Sequence, residues 1–481
     1  MNETSPLQSL SQIKLGTHSL GTRSMGVKLI VVCVLALLMT IPSLFVVWLV
    51  SDRSQRAATV VNEISGHVGG QQTFLGPTLA IPFVIPARSA SDVVKRSVYL
   101  VFPTEGSTNV QVSTEERRRS LFKVPVYQAN LKMDATFDLS GVPAELPEGA
   151  VLDWNRAELV VGVTDARGAA ADATIAAGSK AATLVPAATS TEMTFGNDVS
   201  QRVRLTLFGT YASTLAKPGA QFRVSANLHF TGAQRIALLA YGKSTRFAVQ
   251  SNWPNPSFDG GFLPASRTIS PSGFTGQWSV PFIARGVRAE GPIDTITGLE
   301  AAQLGVSLVE VADPYQSVNR ALKYVLLFLG LVFLSYFVFE VTTGKHVHPA
   351  QYILVGVAQI IFYLLLLSLA ERVGFDWGFL IAGGATAGLL AANAGWIFHS
   401  RLQGLRALAV FSLLYGLIYL LLRLEDNALL VGAVASFVAV AAAMYFTRKI
   451  DWYSSLPPSQ PNPPNPSSNK PEPALDLSLR A

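Results

Sequence analysis

The chain has 481 residues, of which 14% are charged and 49% apolar, with a mean hydropathy of +0.35 and one cysteine. Soluble domains carry about 25% charged residues, so this composition argues against a wholly soluble enzyme. A lone cysteine also excludes an intrachain disulfide and Cys-rich zinc chemistry. The net charge of +6 does not point to nucleic acid, because residues 51–321 hold 24 Lys+Arg against 22 Asp+Glu and the surplus lies on tails and short loops. That is how an inner-membrane protein distributes charge.

A membrane span needs about 20 mostly apolar residues. After a tail of residues 1–26, Val27–Val50 meets this, with one lysine at its start. It is longer than the 7–15 residues typical of a signal-peptide core, and SDRSQR follows it, so it reads as an uncleaved anchor with Cys33 as a buried apolar thiol. Residues 51–66 are helix-like and extend it. Residues 51–321 then change texture. Alternating stretches such as VYLVF, VQVST, VRLTLFG and FRVSANLHF are separated by turn clusters such as FPTEGSTN and NPSFDGG. This pattern predicts a large β-rich, antiparallel sandwich-like domain, built as one unit or as two subdomains. An Ala/Thr-rich stretch at 167–190 is its least patterned part and reads as a hairpin or a junction.

Five apolar runs follow: Leu322–Val341, Gln351–Leu369, Trp377–Phe398, Ala407–Leu422 and Ala428–Phe446. The fold class is therefore a six-span α-helical membrane protein, with a five-helix bundle over 322–446 and a β-rich extracytoplasmic domain inserted after the first span. Residues 447–481, with 8 of the 27 prolines after Tyr453, read as an extended disordered tail. Lys and Arg near the span ends set orientation. With the N-terminus inside, Lys14, Arg23, Lys28, Lys345, Arg401, Arg406, Arg448 and Lys449 lie inside. The short outer loops carry only Arg372 and Arg423, beside Glu371, Asp376, Glu425 and Asp426. Both termini are then cytoplasmic and residues 51–321 periplasmic.

Catalytic signatures are absent: there is no HExxH, no GxSxG and no complete Walker A. Gly242-Lys243-Ser244 lacks the required glycine at 237, which is alanine. His346, His348 and His399 would have to converge to bind a metal, and His18, His67 and His229 stand alone, so no metal, cofactor or enzyme activity is expected. Glu115-Glu116 followed by Arg117, Arg118 and Arg119 reads as a solvated face, or as a contact for anionic headgroups or a partner. The stretch 253–278 offers Trp253, Pro254, Phe258, Phe262 and Trp278 as an interaction surface, or as the corner of a β core. Within the spans, Glu340 lies 17 residues beyond Lys323, about 25 Å at 1.5 Å per residue, near the inner boundary. Gln359 and Asn393 suit interhelical hydrogen bonds. Gly384 and Gly388 form a GxxxG for helix packing or for a homo-oligomer face.

Several segments resemble one family in order: GGQQTFLGPTLAIP, EERRRSLFKVPVYQANL, DWNRAELVVGVTDARG, SNWPNPSFDGGFLP and GFTGQWSV, then ALKYVLLFLGLVFLSYFVFEV, HPAQYILVGVAQIIFYLLLLSLAERVGF and TRKIDWY. Together they resemble the CreD inner-membrane protein family over roughly residues 51–453. One departure is Val68, where that family usually has Trp. The resemblance implies a role in cell-envelope integrity and envelope stress, and no catalytic residues. The expected partners are membrane lipid and envelope proteins or cell-wall components, bound by the periplasmic domain. Transport or signalling through the bundle is the alternative, and a periplasmic enzyme is the weaker third reading.

Overall fold

The computed structural model describes residues 25–87, 94–119, 122–178, 180–196, 202–309, 314–424 and 428–448. The Pro-rich tail, most of the N-terminal tail and His18 lie outside the described residues. The chain divides into two compact units, Val50–Tyr315 and Met1–Leu49 with Gln316–Ala481.

Among the described residues the helices are α1 (Met25–Leu38), α2 (Thr40–His67), α3 (Phe282–Arg285), α4 (Pro314–Lys323), α5 (Val325–Thr343), α6 (Pro349–Val373), α7 (Phe375–Phe398), α8 (Arg401–Arg423) and α9 (Ala428–Thr447). Six segments are long and apolar enough to cross a membrane: Gly26–His67 and the helices α5 to α9. The break between α1 and α2 has a local cause, because Pro42 has no amide proton to donate to the Leu38 carbonyl. The other boundaries are also written locally. Gly344 ends α5 at φ 67°, His348 caps α6 ahead of Pro349, and the Ser400 hydroxyl caps α8.

The bundle interior is aromatic. Phe328 and Phe362 meet the Tyr415 ring edge-on at 4.8 and 4.9 Å, a favoured arrangement of ring quadrupoles. α1 packs on α5 and α6, with Met39 seated where a side chain on Gly356 would stand. Cys33 is on the outward face of α1 and is exposed. The expectation of a buried thiol is corrected by helix phase: Val32 and Ala36 face inward and Cys33 does not.

In the other unit an eight-stranded and an eleven-stranded sheet share one hydrophobic core. The eight-stranded sheet runs in the order Ser266–Ser270, Gly273–Val280, Ser244–Ser251, Glu105–Arg119, Phe122–Asp138, Gln221–Ala233, Thr174–Ala177, Lys180–Thr183. The last two form a hairpin, so the poorly patterned 167–190 region closes a sheet edge. The larger sheet is centred on Gln72–Ile85, flanked by Glu158–Val163 and Arg235–Leu239. Pairing is antiparallel except at two places. Gln72–Ile85 runs parallel to Arg235–Leu239, and Ser244–Ser251 runs parallel to Glu105–Arg119. Tyr241 lies between the sheets, its ring against Gly76 of one and Gly106 of the other.

Candidate functional site

The five central strands of the eight-stranded sheet alternate over their paired stretch, so one face enters the core and the other meets solvent. Val110, Val112, Leu131, Leu228, Phe247 and Val249 are buried. The residues between them are polar apart from Ala248, and the pairing register sets them in two adjacent rows across five strands. One row is Gln277, Ala248, Asn109, Lys132 and Asn227. The next is Thr275, Gln250, Gln111, Asn130 and His229. These ten positions line a concavity of about 480 Å³. Six are amides and one, Lys132, is a cation. His229 Nδ1 lies 2.5 Å from Asn130 Oδ1, which fixes those two side chains against each other.

The chemistry of this face follows from its composition. An amide side chain offers two donors and an acceptor within one plane. It loses far less on desolvation than a charged group does. Neighbouring strands are about 4.8 Å apart and alternate residues about 6.6–6.8 Å apart along a strand, so the rows form a grid of donors and acceptors. A grid of this kind suits an extended, uncharged ligand rich in hydroxyls. In the sequence the signal was five short triplets, NVQ, NLK, NLH, AVQ and TGQ. Nothing local said that these strands are neighbours.

The residues expected to form an aromatic surface lie in a core corner. Trp278 is buried, lies tilted with its ring centre 4.9 Å from that of Phe247, and donates its indole N–H to the Phe262 carbonyl at 2.9 Å. Phe258 meets Phe274 and Trp278 edge-on. Trp253, beside Pro254, donates to the Val309 carbonyl at 3.1 Å. In the same stretch Asp259 bonds Arg235 Nε at 2.9 Å and Ser307 at 2.5 Å. A side chain on Gly305 would fill the space this pair occupies. A polar cleft of about 630 Å³ opens beside it, lined in part by Gln71, Arg204 and Glu300.

Arg117, Arg118 and Arg119 stay together as a strip, and each has a carboxylate. Arg117 meets Glu115 at 3.1 Å, Arg118 meets Glu116 at 2.8 Å, and Arg119 reaches Glu63 of α2 at 2.6 Å. The strip is zwitterionic rather than basic. It continues the seam in which Val61, Ile64 and Val68 pack on Val124, Val126 and Ala233.

In the bundle, Gln359 accepts from Tyr415 at 3.3 Å and Asn393 donates to Tyr336 at 3.3 Å, both between helices. A side chain on Gly384 or Gly388 would meet nothing within 4 Å among the described residues. Of the same small-residue stripe, which the sequence also shows at Gly383 and Gly395, Gly383 faces Tyr415 and Gly395 approaches Gly404. Consecutive residues sit about 100° apart on a helix, so Gly383 and Gly384 present different faces.

One centre in the bundle was not anticipated. Glu340 is fully buried and gathers three donors: the Lys28 ammonium of α1, the Val347 N–H at 2.9 Å and the Tyr352 hydroxyl at 2.9 Å. The carboxylate was legible in the sequence, but its partner lies 312 residues away. The histidines do not converge here. His346 stands 3.8 Å from Glu340, His348 caps α6, and His399 turns to the Ile397 carbonyl.

Comparison with known proteins agrees with this architecture. The family model described as "Inner membrane protein CreD" matches residues 24–453. The "Inner membrane protein CreD" of Escherichia coli (strain K12) is 32% identical over 433 residues, covering 88% of this chain and 92% of that protein. With six spans, one inserted β domain and a match over most of its length, the chain belongs to the CreD family of multi-pass inner-membrane proteins.

Proposed function

We propose that this protein maintains the cell envelope, and serves the response to envelope stress, by gripping an uncharged polyhydroxyl polymer of the cell-wall glycan kind with the amide face of its eight-stranded sheet. One observation carries the reading: two registered rows that place six amides and a single cation over a concavity of about 480 Å³. The bias of Lys and Arg toward one set of loops supports both termini inside and the β domain in the periplasm, where such a polymer lies. The bundle then anchors the grip. The Gln359 oxygen, the half-buried Asn393 and the buried Glu340 make hydrogen bonds between helices, which favours anchoring over transport.

The test uses a strain lacking the protein, challenged with detergent, β-lactams and osmotic downshift. Full-length protein should restore resistance. The variant Asn109→Ala/Gln111→Ala/Asn130→Ala, made to the same level, should not. Binding of the solubilised full chain to purified sacculi should fall at least about tenfold in that variant, given about 0.5–1.5 kcal/mol for each lost hydrogen bond. Full rescue together with unchanged sacculus binding would overturn the reading.

A further inference from the structure

Arg285 is the one arginine in the β domain whose guanidinium is both buried and unpartnered among the described residues. Its residue exposure is 3%, and Nε, Nη1 and Nη2 all lack an acceptor within hydrogen-bond distance. The guanidinium carbon lies over the Phe102 ring, 4.3 Å from its centre. Burial pulls its pKa down to about 10, which still leaves it charged at neutral pH. A buried charge with no counter-charge is among the costliest arrangements a fold can hold. Cation–π attraction offsets only about 2 kcal/mol of it.

The element that carries Arg285 is unusual in a second way. α3 is a single turn between Pro281 and Gly286, and Gly286 takes φ 67°. Its leading residues are apolar and turned outward: Ile283 is 92% exposed and Phe282 47%. Arg285 follows two residues behind this tip. An aliphatic–aromatic tip backed by a hidden guanidinium matches an amphiphile that is apolar inside and phosphate-bearing at its surface. Long cationic side chains extend along apolar surface to place their charge at such a boundary, and a guanidinium pairs with two phosphate oxygens at once.

We propose that α3 is a docking tip for anionic phospholipid: Phe282 and Ile283 enter the acyl boundary and Arg285 swings from Phe102 to the headgroup phosphate. The idea is independent of the glycan reading, since it uses a different element and a different ligand.

The test is a calorimetric titration of the full chain, in uncharged detergent, with short-chain phosphatidylglycerol, phosphatidylcholine and inorganic phosphate. Phosphatidylglycerol should bind saturably and phosphatidylcholine more weakly. Arg285→Met and Ile283→Asp should each weaken the phosphatidylglycerol site at least about tenfold, the scale of one charge-assisted hydrogen-bonded contact. Arg285→Lys should keep part of it. Inorganic phosphate binding as well as the lipid, with Ile283→Asp silent, would overturn lipid docking in favour of a free-anion site. Phosphatidylglycerol binding that is the same in all variants would overturn the proposal outright. If Arg285→Met does not fold, Ile283→Asp, at an exposed position, decides alone: unchanged binding rejects the tip.

Discussion

Lys28 and Glu340 show what a single buried pair does in an apolar bundle. Removing one partner strands the other charge among apolar helices, which costs about 3–5 kcal/mol. Lys28→Met and Glu340→Leu should therefore each lower the thermal stability of the solubilised chain sharply. The double variant should recover much of the loss, because no charge is then left behind. A cycle of the three variants measures the coupling, and additive losses would reject the pairing. Tyr241 makes a similar point between the sheets. An alanine methyl at Gly106 would lie 2.7 Å from its ring, so Gly106→Ala should cost about 1–3 kcal/mol by overpacking, read as a lower urea midpoint for the β domain in the full chain. At this scale the sequence told part of the story. Glu340 stood out as a carboxylate in an apolar run, yet no local pattern pointed to Lys28. Gly106 looked like a turn residue, and its role comes from a tyrosine 135 positions along the chain.

Strands and helices were the most readable level, because their periods are local. Alternation marked strands such as Val203–Tyr211 and Gln221–Ala233, while helix ends were read less closely: the fourth apolar run of the bundle starts at Ala407 and α8 at Arg401. Neighbour order was not legible, nor were the two parallel pairings, since these depend on which surfaces meet in the core. The carboxylates along the strand edges carry a pH dependence that can be checked. Partial burial pushes the Glu116 carboxyl up, but hydrogen bonds from Arg118 and Lys123 outweigh it and hold it below its ordinary value of 4.5. The Arg167 hydrogen bond holds Asp165 below 3.8 in the same sense. A depressed carboxylate contributes stability above its ordinary value and loses it as pH falls through the depressed one. Glu290 has the opposite sign. Burial raises it against the Ala144 N–H, so its contribution is present below 4.5 and is lost as pH rises through the raised value. Protease resistance of the β domain should therefore decline below about pH 4.5, whereas the Glu290 contribution grows as pH falls toward 4.5, a rise that Glu290→Gln should abolish. A Glu290→Gln curve lying on the wild-type curve would contradict the assignment.

At the scale of the whole molecule, the chain divides into a β unit and a helical unit, and the proposed grip and anchor fall on different units. If the β domain does the work, residues 1–321 alone should restore part of the resistance of a strain lacking the protein, and the full chain all of it. Rescue by the full chain only would move the activity into α5 to α9. The amide face has a further consequence, for the conditions under which it works. A ligand held by Lys or Arg is released as ions screen the attraction, within about 8 Å at physiological ionic strength. The two rows contain one lysine among ten residues, and none of their amides titrates. Affinity for the polymer should stay nearly flat from low salt to molar salt. A periplasm open to the surrounding medium takes on that medium's salinity. A protein that must hold the wall through such swings is better served by neutral hydrogen bonds than by charge.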